Sequence, residues 1–238
     1  MSATPGDLAN GEPSQAPRGR AQLAYDVLRE RLLEGPLGAG ESLSVVDLAA
    51  ELGCSRVPVM EALKRLQGEG FVTIVPQVGC HVVNPAADEV RDFFALFAAV
   101  EGTVTAFAAE RRTGAEVTAF EALYADIERT AAVAAPPGRP DPTYRRLNAR
   151  FHSAIHAMAR SPMTTTLARG LWDRSDFYIR LAFGSLYFSA RVSAAHRAIR
   201  DAIGAGDPAA AREAVTTHLL AVGDSVARTL AARNAPPP

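Results

Sequence analysis

Cysteine is nearly absent from the sequence. Only Cys54 and Cys80 occur, and no metal-type spacing joins them. That usage argues against a disulfide framework and is consistent with a reducing cytosol. No apolar run is long enough to span a membrane. The N-terminus lacks the charged-then-apolar pattern of a secretory signal, so a cytoplasmic protein with no membrane partner is expected. There is no internal repeat, which leaves solenoid architectures aside. A bulk basic excess is missing too, since the formal net charge is −1. Residues 1–84 carry 7 Lys and Arg against 10 Asp and Glu, and residues 85–238 carry 18 against 16. Phosphate neutralisation supplies much of the affinity in DNA binding. A nucleic-acid function would have to rest on pattern and local charge.

What is present is a chain of 238 residues with 48% hydrophobic and 21% charged residues, the profile of a globular protein with room for two domains. Residues 1–20 are rich in Pro, Gly, Ser and Ala and read as a disordered tail. The terminal Ala235-Pro236-Pro237-Pro238 reads as a frayed end. From Ala21 to Gly35 the positions Ala24, Val27, Leu28 and Leu32 recur at helical spacing, and Gly35-Pro36 ends that helix. Leu37 to Leu43 reads as a turn. Ser44 caps a second helix, with Asp47 three residues on, and Gly53 stops it. Ser55 caps a third helix over about Arg56 to Gln67, closed by Gly68 and Gly70. The β-branched runs 71–75 and 80–83, joined by Pro76-Gln77-Val78-Gly79, predict a hairpin. That order is a winged helix-turn-helix over residues 21–84. Residues 88–233 are helical nearly throughout, with six candidate helices in an alanine-rich background. The Pro/Gly-rich stretch 134–140 reads as a loop between two of them. The expected fold is mostly α: a winged helix-turn-helix followed by an antiparallel all-α bundle of about six helices.

The run Leu48-Ala49-Ala50-Glu51-Leu52-Gly53-Cys54-Ser55-Arg56-Val57-Pro58-Val59-Met60-Glu61-Ala62-Leu63, with Glu69-Gly70-Phe71-Val72 after it, resembles the GntR-type regulators. Phe151-His152, Ser161-Pro162, Ala195-His196-Arg197-Ala198-Ile199, Gly206-Asp207 and His218-Leu219 are similar to the FCD effector domain of the FadR-like branch. The resemblance spans about residues 21–230. It implies a ligand-responsive, DNA-binding transcription regulator, typically a repressor and not an enzyme. The implied partners are an operator duplex, a small carboxylate effector and a second copy of the chain, because two heads match a pseudo-palindromic site.

At the start of a recognition helix, Arg56 can donate bidentate bonds to a guanine edge, and the backbone amides there can hold a phosphate. By resemblance Ser55, Arg56, Val57 and Pro58 line the groove-facing end, and Gly79 marks the wing tip. Met60 and Val46 stand where the family usually carries arginine or another basic residue. Lys64 and Arg65 on the same helix, with Arg18 and Arg20 in the tail, are candidates to compensate.

In the second half, His152, His196 and His218 fall on three different helices. Histidines converging from separate helices on a bundle interior suit a divalent metal. Gly206, Asp207 and Pro208 form a sharp helix–helix turn, which can bring His196 and His218 to one depth. FCD proteins typically hold a metal with one Asp and three His. The matching residues are Asn148, His152, His196 and His218, so Zn or Ni is expected, weakened by Asn148 in place of Asp. His156 reads as a helix-surface histidine, and Arg174 and Arg180 as effector-binding arginines. Two other readings stay open: a degenerate regulator acting through protein contacts without DNA, and a metal-dependent enzyme using three histidines.

Overall fold

The computed structural model describes residues 17–132, 142–184 and 190–234. Most of the N-terminal tail, the 134–140 loop and the terminal prolines lie outside the described residues. The head comprises α1 (Pro17–Glu34), β1 (Ser42–Leu43), α2 (Val45–Glu51), α3 (Arg56–Gly68), β2 (Val72–Val75) and β3 (Gly79–Val82). The bundle comprises α4 (Ala87–Arg111), α5 (Gly114–Ala132), α6 (Pro142–Ala159), α7 (Pro162–Phe183), α8 (Ala190–Ala205) and α9 (Pro208–Asn234). This is the expected winged helix-turn-helix followed by six helices.

Local chemistry accounts for most boundaries. The Ser44 hydroxyl accepts from the Asp47 amide at 3.2 Å and starts α2. Between α8 and α9, Gly206 takes φ +69°. The amides of Gly206 and Asp207 close back on the carbonyls of Ile203 and Ala202. Asp207 Oδ1 then accepts from the amides of Ala209 and Ala210, both at 3.0 Å, and opens α9.

Two elements differ from the sequence reading. First, α1 begins at Pro17, so residues 17–20 belong to a helix and not to the tail; proline at N1 gives up only an amide that has no helical partner there. Second, Ser42 and Leu43 form a short strand inside the expected turn. It pairs antiparallel with β3, Leu43 opposite Cys80, giving the sheet order β1-β3-β2. Two residues are too few to show an alternating pattern, so pairing with a distant strand determines their state.

In the bundle α4 lies against α9, with α6, α7 and α8 also on α4. Gly102 and Gly223 permit the close approach: a β-carbon on Gly102 would press on Thr216, and one on Gly223 would overlap Phe94. Among the described residues α4 alone is long and apolar enough to cross a membrane, but most of its apolar stretch is buried. The head sits on the bundle through α1 and α7. Arg29 pairs with Asp173 at 2.5 Å, and Phe71 meets Phe177 edge-on at 5.1 Å between ring centroids.

Candidate nucleic-acid interface and histidine cavity

α3 buries Val59, Ala62, Leu63 and Leu66 and turns its other face outward. Ser55, Arg56 and Val57 are exposed at its N-terminus, Val57 at 65%. A large aliphatic side chain left in solvent at that place suits contact with a thymine methyl or another apolar groove edge. Lys64 is exposed two turns on from Arg56 along the same face, with Met60 between them. Val46 on α2 is exposed as well.

Four sequence expectations change here. Pro58 is buried: its ring turns into the head core and cannot face a groove. Arg65 lies 3.5 Å over the Tyr25 ring and donates to Gln22 and Glu69, so it serves α1–α3 packing. Ser55 takes the N-cap place, but its side chain makes no capping bond and its hydroxyl is not committed to the helix. Gly79 is the first residue of β3, paired with Val75, so the wing tip is Gln77 and Val78, the latter 70% exposed. Gln77 holds φ +62° in that turn. Cys80 is buried in the sheet, and burial pushes its thiol up to about 11, away from redox-sensing reactivity.

In the bundle, Asn148 and His152 of α6, Trp172, Ser175 and Asp176 of α7 and His218 of α9 line a cavity of about 50 Å³. His196 of α8 joins them from the side. Its ring centroid is 5.4 Å from that of His152 and 5.1 Å from that of His218. Burial holds His152 well below the ordinary histidine range, with His196, His218 and His156 adding like-charge repulsion. His196 is pushed down to about 3, by burial first and His218 second. Both rings are therefore neutral at pH 7.

Both nitrogens of His152 and both of His196 are buried without a hydrogen-bond partner. Buried polar atoms normally have partners. Orphaned neutral imidazoles with free lone pairs fit a divalent cation of the Zn or Ni type. Among the described residues, however, no group of three or more His, Cys, Asp or Glu side chains is placed so that it could hold a metal ion.

Sequence reasoning missed a polar centre beneath this cavity. Glu101 of α4 is fully buried, and its Oε1 accepts from Trp172 Nε1 and meets His156 Nε2, both at 2.8 Å. His156 is thus an interior residue bound to a carboxylate, not a surface histidine. The indole held by Glu101 lies 3.9 Å from His152, ring centroid to ring centroid. Glu101 sits mid-helix in an apolar stretch, 55 residues from His156, and no local pattern marks it.

Arg174 and Arg180 do not line the cavity. Arg174 lies against Gly70 of the head and near the Phe93 and Tyr178 rings. Arg180 is buried and donates to the carbonyls of Leu32, Gly35 and Leu37, capping the end of α1. The reason is helical phase: Trp172, Ser175, Asp176 and Ile179 occupy the cavity face of α7, whereas Asp173, Phe177 and Arg180 face the head.

Comparison with known proteins agrees with this division. Residues 20–82 match the family model described as bacterial regulatory proteins, gntR family, and residues 92–221 match the FCD domain. An HTH-type transcriptional regulator in an unstable DNA locus of Streptomyces ambofaciens is 33% identical over 86% of this chain and 84% of its own length. The HTH-type transcriptional repressor RspR of Escherichia coli is 23% identical, over 86% of this chain and 88% of its own. A GntR regulator structure from Rhodococcus sp. RHA1 superposes with TM-score 0.67 at 23% identity, covering 90% of this chain and 99% of that one. Escherichia coli McbR/YncC superposes with TM-score 0.66 at 19% identity, covering 86% and 96%. At those identities the structural likeness concerns the fold alone.

Proposed function

The chain belongs to the gntR family of bacterial regulatory proteins, in the branch that carries an FCD domain, and we propose that it is a homodimeric repressor released by a small carboxylate. DNA-binding transcription regulation is the function of this family, and its members are regulators rather than enzymes. The effector, the repressing sense, the metal and the dimer are the proposed part.

The observation that carries the reading is the double role of α7. One of its faces walls the histidine cavity, and another clasps the head through Asp173, Phe177 and Arg180. A ligand that fits the cavity better in one placement of α7 shifts the head by that difference in affinity. His152, His196 and His218, with Asn148, would hold a zinc or nickel ion. Held by these residues, such an ion would supply Lewis-acid attraction for a carboxylate effector. The chain's own part is to present neutral nitrogens and to keep Trp172 over His152 by the Glu101 bond. Arg56, with Val57 beside it, would read the groove from the start of α3.

The test is binding of the full chain to its upstream intergenic duplex across a salt series, with and without zinc and a panel of small carboxylates. The proposal expects affinity that falls with salt, and release by one carboxylate class. Absence of binding to any duplex at low ionic strength would refute it in favour of a regulator acting through protein contacts.

A further inference from the structure

We propose that Arg174 of α7 sets the angle of the recognition helix, and with it the half-site spacing that a pair of heads accepts. The proposal rests on the homodimer reading above. α3 stops at Gly68, and the next turn closes it: the Gly70 amide bonds the carbonyl of Gln67, and the Phe71 amide that of Leu66. Gly70 holds φ +78°, a conformation that glycine adopts without penalty. It has a second reason to be glycine. A β-carbon there would overlap the guanidinium of Arg174, which reaches across from the bundle and sits on this turn. The carbonyl end of a helix favours a cation at such a place. The other charged residues that tie α7 to the head, Asp173 and Arg180, hold α1 and its end instead. Arg174 therefore reaches the end of α3 itself, beside the Phe71–Phe177 ring contact.

On the bundle side, Arg174 Cζ is 5.9 Å from the centre of the Phe93 ring and 6.0 Å from that of Tyr178. Its Nε is buried with no hydrogen-bond partner. The guanidinium is thus positioned by two rings of the bundle behind it and one glycine of the head in front. Along α7 it stands between Trp172 and Ser175, which wall the histidine cavity. A rotation of α7 that reshapes the cavity carries the guanidinium with it, and the seat on Gly70 passes that rotation to α3. Two heads on one duplex feel it as a change of spacing. One inserted base pair rotates a half-site by about 34–36° around the duplex axis. A firmly seated head rejects that rotation, and a loosened head follows it.

The experiment is fluorescence anisotropy of the full chain on its upstream intergenic duplex, and on the same duplex with one base pair added or removed between the half-sites. Wild type, Arg174→Ala, Arg174→Lys and Arg169→Ala are compared; Arg169 is exposed on the same helix and serves as the control. The wild type should bind either altered duplex about tenfold more weakly, on the order of a mismatched base pair. Arg174→Ala should remove most of that penalty, and Arg169→Ala should keep it. Arg174→Lys should fall between, because an ammonium keeps the charge and the reach but not the planar fork; it answers the question even if the alanine variant does not fold. Thermal unfolding is the second readout, and Arg174→Ala should melt within about 4 °C of wild type. A merely structural arginine would lower the melting temperature and leave the spacing penalty as it is. The full wild-type penalty in the Arg174 variants, or an equal loss on all three duplexes, overturns this assignment and leaves the homodimeric regulator standing. A wild type that binds all three duplexes alike overturns the homodimer reading as well.

Discussion

Arg180 of the bundle donates from Nη2 to the carbonyl of Leu37 in the head at 2.7 Å. The same guanidinium reaches Leu32 and Gly35, so one side chain satisfies three carbonyls around the end of α1. Burial lowers its pKa from the usual arginine value, yet it stays charged at neutral pH. Replacing it by alanine leaves buried acceptors unpaired, each worth about 1–3 kcal/mol. We expect Arg180→Ala to lose about 3 kcal/mol in denaturant unfolding. Arg180→Lys should recover only part of this, because an ammonium cannot span three acceptors with a planar fork. If the arginine transmits the signal, both variants also blunt the effect of effector on DNA affinity. Unchanged effector release in Arg180→Lys would show that coupling runs elsewhere.

For the head, Arg56→Ala should weaken operator binding by about tenfold or more, the worth of a good bidentate base contact. Discrimination against a mutated operator should fall along with affinity. A loss equal on all duplexes would instead mark Arg56 as a phosphate contact.

Met60 lies on the same face of α3 between Arg56 and Lys64. Met60→Arg should add a phosphate contact, steepening the slope of log affinity against log salt by about 0.9 unit. Fluorescence anisotropy over 50–200 mM salt, on the order used to resolve such slopes, measures this directly.

The histidines predict a pH dependence for the metal-free protein. His196 titrates at about 3 when folded and about 6.5 when unfolded, and His152 is also depressed. Below about pH 6.5 the unfolded chain takes up protons that the folded chain refuses, so stability is lost as pH falls from there toward 3. Each fully depressed histidine contributes a slope of about 1.4 kcal/mol per pH unit in that window. His196→Gln should remove its share of the slope. A variant with the wild-type slope would show that His196 is already protonated when folded.

Glu101 anchors both His156 and Trp172. Glu101→Ala should destabilise the fold by about 2–4 kcal/mol through two donors left unpaired. Freed from its acceptor, Trp172 should shift its emission and lose sensitivity to ligands at His152. A spectrum unchanged from wild type would mean that packing alone places the indole.

Sequence by itself determined the element order and most helix ends, because these follow from short-range rules: a Ser44 cap, a Gly206-Asp207-Pro208 turn, a four-residue apolar stripe. It also placed His196 and His218 at one depth, since a tight antiparallel turn joins their helices. What only the tertiary structure decided is what faces what across the chain. The phase of α7 sent Arg180 to the end of α1 and Asp176 to the cavity, and nothing local to either residue encodes that choice. Glu101 and His156 meet from 55 residues apart, and Pro58 turned inward, for the same reason. Backbone bonding and capping act within a few residues, whereas the burial of a charge is settled by whichever helix packs over it.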